Sequence, residues 1–96
     1  MSPFHLPDPF VAQQAGVWAR RVLSEGKKPA EQRIAQMYEE AFARPPTDAE
    51  VAEGKAFLSQ MGELYGLNAD HRADDERVWA DYGHVLFNVK EFIFVK

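Results

Sequence analysis

A row of polar side chains is the first place in this sequence where chemistry could occur. Asp81, His84, Asn88 and Glu91 follow one another at spacings of three, four and three residues. These spacings place all four on one side of a helix, where an acid and an imidazole can orient a general base or share a weakly held metal ion. One helix supplies too few converging ligands for either role. We therefore interpret the row as a solvated polar face and predict no catalytic residue, no metal site and no cofactor.

A second concentration of polar groups is the segment "DHRADD", residues 70–75, which holds three carboxylates and His71. Calcium loops use such oxygens, but the EF-hand pattern needs Gly at its sixth position and Glu at its twelfth. Asp75 and Asp81 stand there instead. The segment is therefore interpreted as a polar loop in which Asp74 or Asp75 caps the following helix. The sequence contains no Gly-rich phosphate loop and no nucleophile-elbow serine.

Composition restricts the function further. The chain has 96 residues, 46% of them hydrophobic and 27% charged, which is typical of one globular domain over residues 1–96. It has no cysteine, which excludes disulfides, thiolate metal sites and a Cys nucleophile. A net charge of −4 with few adjacent basic residues argues against a nucleic-acid partner. No apolar run approaches the length of a membrane span.

Apolar residues recur at helical spacing in four segments, so we predict an all-α fold, a small four-helix bundle-like domain with short linkers and a C-terminal tail. On the second helix the polar side is expected to carry Glu31, Arg33, Gln36, Glu39 and Glu40. The four apolar stripes are Val11, Ala15, Trp18, Ala19 and Val22; Ile34, Met37, Tyr38, Ala41 and Phe42; Val51, Phe57 or Leu58, Met61 and Leu64 or Tyr65; and Val78, Trp79, Tyr82, Val85, Leu86 and Val89. Both tryptophans are thus predicted to be core residues.

Proline and glycine mark the boundaries of these helices. We expect Asp8 as the N-cap with Pro9 at the first helical position, Gly26 at the end of that helix, and Pro29 opening the second. Gly54 is expected where another helix comes close. The only real loop is expected from Gly66 to about residue 74, and the final "EFIFVK" is either a last helical turn or an extended tail.

The joint "ARPPTDAE", residues 43–50, combines a stop signal with a start signal. The second helix is expected to end near Ala43, because Pro45 disfavours helical geometry in the residue before it and Pro46 extends the break. Thr47 and Glu50 match a capping box, in which each side chain accepts from the other residue's backbone N–H. The joint therefore predicts a fixed angle between the second and third helices. The third helix is expected to run from about residue 48 to 65.

Three stretches together resemble the C-terminal part of a known family: "DPFVAQQAGVWARRV", "RIAQMYEEAFARPPTDAEVAEGKAFL" and "VWADYGHVLFNVKEFIFV". The family is domain of unknown function fifteen-fifty-three, which forms the C-terminal end of large exported planctomycete-type proteins. These proteins often carry a planctomycete cytochrome c domain upstream. The resemblance spans about residues 8–95, with Ala43 where the family commonly has Gly. It implies a C-terminal fragment of a larger parent protein, located in the periplasm or at the cell surface, and no established activity. Residues 1–10 do not look like a signal peptide, so that signal is expected outside this chain.

The most specific motifs of the resemblance suggest a structural pair. They contain Arg44, Pro45, Pro46, Thr47 and Glu50 at the joint, and Asn88, Glu91 and Phe92 near the C-terminus. Our hypothesis is that Arg44 reaches Glu91, or carbonyls at the end of the last helix, and locks the joint against the C-terminal segment. Asn88 would then satisfy backbone groups nearby.

Three functions remain open from the sequence. The first is a non-catalytic helical module that packs on upstream domains of its parent or binds a protein partner, with a homodimer as a further option. Its apolar contact surface would use Phe4, Phe10, Phe87, Phe92 and Phe94. In the second, Asp81, His84, Asn88 and Glu91 contribute a polar face to an enzyme or redox site formed with upstream domains. The third is a polysaccharide-contacting module, which would require an exposed Trp18 or Trp79.

Overall fold

The helices begin and end close to the boundaries predicted from proline, glycine and capping residues. A computed structural model describes residues 9–95, and their side chains as far as residue 89. The elements are α1 (Pro9–Ser24), α2 (Ala30–Phe42), α3 (Asp48–Leu64), a short 3-10 turn (Arg72–Asp74) and α4 (Glu76–Val95). The described residues contain no strand, which confirms the all-α prediction. For the end of the chain, the helical alternative holds, because α4 continues to Val95.

The connection between α1 and α2 follows the expected turn chemistry. Gly26 follows α1 with a φ of 106°, which only glycine adopts without strain. Pro29 takes the N-cap position of α2, one residue before the first helical position that was expected. The predicted N-cap of α1, Asp8, lies outside the described residues.

The joint between α2 and α3 contains both of the predicted signals. Ala43 adopts a left-handed conformation, with φ 58° and ψ 32°, and its N–H donates to Glu39 O. Thr47 Oγ1 accepts from the N–H of Glu50 at 3.1 Å, and Glu50 Oε1 accepts from the N–H of Thr47 at 2.8 Å. The capping box is thus confirmed. Because Ala43 has a Cβ, it holds this left-handed geometry at a cost that glycine would avoid.

Helices α1, α2 and α3 all contact α4, and α1 runs antiparallel to it. Arg20 of α1 pairs with Glu76 at the start of α4 at 3.1 Å. Ala15 and Trp18, earlier on α1, lie beside Gly83, later on α4. The N-terminal end of α1 and the C-terminal end of α4 therefore lie at the same end of the bundle. No helix in the described ranges is long and apolar enough to cross a membrane.

The core forms where the four apolar stripes meet. Its buried members are Ala19, Val22, Ile34, Met37, Leu58, Val78, Trp79, Tyr82 and Leu86. Gly54 allows the predicted close approach, because a Cβ there would lie 3.0 Å from Ile34 Cδ1 and 3.0 Å from the Tyr82 hydroxyl.

Some predicted core positions are wrong at the ends of the stripes. Leu64 is 73% exposed and Tyr65 38% exposed, because they occupy the end of α3 where the chain turns away through Gly66. Val85 and Val89 are also largely exposed. They lie at the edge of the buried stripe of α4, on which Tyr82 and Leu86 point inward.

The prediction for Arg33 was also wrong, because this residue is only 2% exposed. Its guanidinium donates to Ala73 O at 2.7 Å and to Gly26 O at 3.0 Å, and it contacts Asp74 Oδ1 at 3.3 Å. The guanidinium also lies 5.9 Å from the centre of the Trp79 ring. Helical spacing assigned Arg33 to the polar face, but backbone carbonyls from two turns bind its two terminal nitrogens, while its Nε is buried without a hydrogen-bond partner.

The loop before α4 consists of turns held by the Arg72 side chain. Arg72 donates through Nε to Leu67 O at 3.1 Å and through Nη1 to Ser59 Oγ at 3.0 Å. Its side chain lies over Gly62, where a Cβ would overlap Arg72 Cγ. Asp75 precedes α4 and accepts from the N–H of Arg77 at 2.9 Å. Of the two predicted candidates, Asp74 and Asp75, it is therefore Asp75 that caps α4.

We predict that Arg33 stabilises the domain mainly through the carbonyls. Arg33→Met keeps most of the buried volume but removes the donors for Gly26 O and Ala73 O, so the free energy of unfolding should fall by about 2–3 kcal/mol. Asp74→Asn should cost less than about 1 kcal/mol, because Asp74 is largely exposed. Urea denaturation measures both. Equal losses would show that the ion pair, not the carbonyl contacts, supplies the stability.

We also predict that Ala43→Gly stabilises the protein. Glycine removes the Cβ penalty of the left-handed conformation, which we expect to raise the free energy of unfolding by about 1 kcal/mol. The matched control is Ala52→Gly, an exposed position inside α3, which should lower it by about 1 kcal/mol. A thermal shift in the same direction for both variants would contradict the role given to Ala43.

Candidate functional site

An open groove of about 510 Å³ lies between α1, α2 and α4. The first helix contributes Gln14, Val17, Trp18 and Arg21 to its lining, the second contributes Glu40 and Ala41, and the fourth contributes Phe87. The four residues from α1 are three, one and three positions apart, so one helix face supplies one whole side of the groove.

Aromatic and aliphatic side chains form the apolar part of this groove. The Trp18 and Phe87 rings meet edge to face, with centroids 5.4 Å apart and an interplanar angle of 68°. Gly83 makes room for the indole, because a Cβ there would lie 3.2 Å from Trp18 Cε3. Val17 is 45% exposed beside them. The groove therefore leaves apolar surface in contact with water.

Glu40 organises the polar edge of the groove. Its Oε1 accepts from Trp18 Nε1 at 2.6 Å and from Arg21 Nη2 at 2.7 Å. Its Oε2 accepts from Arg21 Nη1 at 3.1 Å and from Gln36 Nε2 at 3.1 Å. Four donors from three side chains thus hold one carboxylate in place.

These contacts decide the charge state of Glu40. The hydrogen bonds from Arg21 lower the pKa of the Glu40 carboxyl to about 2, assisted by those from Trp18 and Gln36 and opposed by partial burial. The same pairing raises the pKa of Arg21. The pair therefore remains ionised throughout the neutral range and cannot exchange protons as an acid–base couple would.

Sequence reasoning missed this constellation because its members come from different elements. Glu40 was expected on the polar face of its helix, and Trp18 in the core. Trp18 is in fact only half-buried, with its ring in the groove wall and its nitrogen bound by Glu40, whereas Trp79 is fully buried as predicted. The only available signal was the helical spacing of Trp18 to Arg21 and of Gln36 to Glu40, which aligns each pair on its own helix.

The described members of the predicted polar row, Asp81, His84 and Asn88, do not converge on one site. Asp81 accepts from the Tyr65 hydroxyl at 2.5 Å, His84 is half-buried and Asn88 is exposed. The side chain of Glu91 lies outside the described residues. Within the described ranges, no group of three or more His, Cys, Asp or Glu residues is placed to hold a metal ion. A role in an enzyme or redox site with upstream domains stays a hypothesis.

Tyr65 and Asp81 form a local surface pair with Arg77. The Arg77 guanidinium lies 4.6 Å from the centre of the Tyr65 ring and donates to Asp75. The hydrogen bond to Asp81 raises the pKa of Tyr65. These contacts connect the end of α3 to the first turns of α4, so a structural role accounts for them.

Arg44 is bound within the joint. Its guanidinium donates to Glu50 in bidentate fashion, at 2.8 and 2.9 Å, and to Pro45 O at 3.0 Å. It also lies 5.5 Å from the centre of the Tyr38 ring. The Arg44 hydrogen bonds lower the pKa of Glu50 to about 2, assisted by the backbone N–H of Thr47. The expected pair with Glu91 stays a prediction, since the side chains of Glu91 and Phe92 lie outside the described residues.

The five phenylalanines expected on a contact surface are only partly described. Phe10 is 66% exposed, and Phe87 is half-buried against Trp18. Phe4 and the side chains of Phe92 and Phe94 lie outside the described part of the chain.

We predict that Glu40 makes the free energy of unfolding depend on pH in the acidic range. Its pKa is lowered from 4.5 to about 2 in the folded protein, so its stabilisation is complete above the unfolded pKa and disappears as the pH falls towards 2. Glu40→Gln should cost about 1 kcal/mol at pH 7, because both side chains are partly exposed and solvent screens the pair. Denaturation curves of both proteins should converge between about pH 5 and pH 2. Glu39→Gln is the neighbouring control, and a Glu40→Gln deficit that persists at pH 2 would contradict this account.

No family model, no curated protein and no solved structure matches this chain. The resemblance to the C-terminal part of domain of unknown function fifteen-fifty-three therefore stays a prediction, and the all-α fold rests on the structure described above.

Proposed function

We propose that this domain is a non-catalytic helical packing module at the C-terminal end of a larger exported protein, and that the groove between α1, α2 and α4 is its contact surface for polypeptide. Its partner is the upstream part of the same protein. The extracytoplasmic setting and the larger parent come from the family resemblance alone. The observation that carries the proposal is the apolar lining of the groove, in which Val17 is 45% exposed and Trp18 and Phe87 are half-buried.

The polar edge of the groove supports binding more than chemistry. Glu40 already holds the indole N–H of Trp18 and two guanidinium nitrogens of Arg21. A carboxylate that is saturated in this way presents no free lone pair in the direction of a substrate proton. Because its nitrogen is bound, Trp18 offers a partner mainly the apolar part of its ring, as aromatic anchors do in interface pockets.

The size of the groove suits a few side chains of a partner. Its volume of about 510 Å³ lies within the range of small binding clefts. The aliphatic and aromatic lining favours apolar side chains, and the Arg21–Glu40 pair leaves no net charge at the edge. The partner segment is therefore expected to be apolar where it enters the groove.

We predict that Val17→Glu weakens binding to the polypeptide encoded immediately upstream, purified as a separate protein. Association would bury the introduced carboxylate among apolar groups, so the Kd should rise at least tenfold in isothermal titration calorimetry. The substitution should not unfold the domain, because the new carboxylate stands four residues before Arg21 on the same helix.

The matched control is Ala52→Glu, which adds the same charge at an exposed position of α3. It should bind like the unchanged protein. Equal weakening by both variants would show that net charge, not the groove, governs association. Absence of binding by the unchanged domain would overturn the proposal.

A further inference from the structure

We propose that a small pocket between the start of α2, the middle of α3 and the loop before α4 binds a carboxylate on a short aliphatic chain, with Lys55, Ser59 and Arg72 as its hydrogen-bond donors. The pocket has a volume of about 160 Å³ and shares no lining residue with the groove between α1, α2 and α4. The inference is therefore independent of the proposed function, and either one can fail without the other.

Three polar side chains meet at this pocket. Lys55 and Ser59 stand four residues apart on α3, so they lie one turn apart on the same face of that helix. Arg72 reaches this face from the loop, with its Nη1 donating to Ser59 Oγ at 3.0 Å. Its Nε donates to Leu67 O at 3.1 Å. Two contacts thus fix the guanidinium before any ligand binds, which reduces the entropy lost on binding.

All three side chains keep donors that no described residue uses. Arg72 Nη2 has no hydrogen-bond acceptor among residues 9–89, and Arg72 forms no ion pair within that range. The Ser59 hydroxyl accepts from Arg72, while its own O–H donates to none of the same residues. The Lys55 ammonium, which has three N–H donors, contacts Glu31 at 3.1 Å. An incoming anion therefore finds donors from three directions.

The charges around the pocket select a monoanion. Lys55 and Arg72 contribute two positive charges and Glu31 contributes one negative charge, which leaves one positive charge. Two carboxylates of the neighbouring loop do not change this balance by pairing. Asp74 binds Arg33 instead, and Asp70 forms no ion pair with a described residue. A ligand with a single negative charge is therefore complementary to the pocket.

The rest of the lining selects an aliphatic ligand of small size. It consists of Ala30, Leu58, Ala69 and Ala73. A volume of about 160 Å³ is well below the roughly 300–1,000 Å³ of clefts that hold drug-sized molecules. The planar guanidinium of Arg72 matches the two oxygens of a carboxylate, and the four apolar residues match a short alkyl chain.

The test is an NMR titration of the complete ¹⁵N-labelled chain with sodium propionate at constant ionic strength. We expect the Arg72 Nε–H signal and the Ser59 amide signal to shift and saturate, with a Kd on the order of millimolar. Propionamide has the same shape without the charge and should shift neither signal. An unchanged spectrum with propionate would overturn the inference, and so would equal shifts with sodium phosphate, which would indicate an adventitious ion only.

Two substitutions at exposed positions should change the propionate Kd in opposite directions. Lys55→Gln removes a donor and should raise the Kd at least about fivefold. Glu31→Gln removes the carboxylate that competes for Lys55 and should lower the Kd about threefold. Arg44→Gln is the matched control, because it also breaks a pair with one carboxylate, Glu50, but beyond the far end of α2. It should leave the Kd unchanged.

Equal weakening by Lys55→Gln and Arg44→Gln would show that net charge alone attracts the anion, and would overturn the site. A further titration with N-acetylalanine distinguishes the two sources of such a carboxylate. Tighter binding than that of propionate would assign the pocket to the C-terminus of a polypeptide. Weaker binding would assign it to a free acid, and both results support a carboxylate site.

Discussion

The buried guanidinium of Arg33 is the constraint on which the arrangement of this domain depends. It donates to Gly26 O in the α1–α2 turn and to Ala73 O in the loop before α4. Trp79 Nε1 donates to the same Ala73 carbonyl at 2.7 Å. One side chain of α2 thus fixes both connections that flank the core. Since α4 carries the central apolar stripe, fixing the loop before it also fixes the register in which α1 packs against α4, and with it the position of the groove.

The groove in turn follows from that register. Gly83 admits the Trp18 indole at the edge of the core instead of its centre, and Phe87 completes the wall one turn later. Glu40 then binds the indole nitrogen and Arg21, which satisfies the polar atoms while leaving the ring surface open. Packing at the core and exposure in the groove are therefore two results of the same contact between α1 and α4.

Local signals made most of the fold predictable. Gly26, the capping box of Thr47 and Glu50, and the stop before Pro45 all act within a few residues, so they can be read from sequence spacing. Apart from the ends of the apolar stripes, the errors concern residues whose surroundings depend on distant segments. Arg33 is buried by carbonyls from two other parts of the chain, and Trp18 is held at the surface by an acid 22 residues away. Periodicity identifies a helix face but not what covers its edges, so the groove could not be predicted.

The antiparallel contact between α1 and α4 also has a mechanical meaning. Both outer ends of this helix pair lie at one end of the bundle, so a pulling force between them acts across the pair and not along it. Such a force separates the contacts in order along the pair, so the Trp18–Phe87 contact is lost before the Arg20–Glu76 pair. Loaded in this way, the two helices would separate progressively, and the aromatic contact of Trp18 would break before the ion pair at the far end.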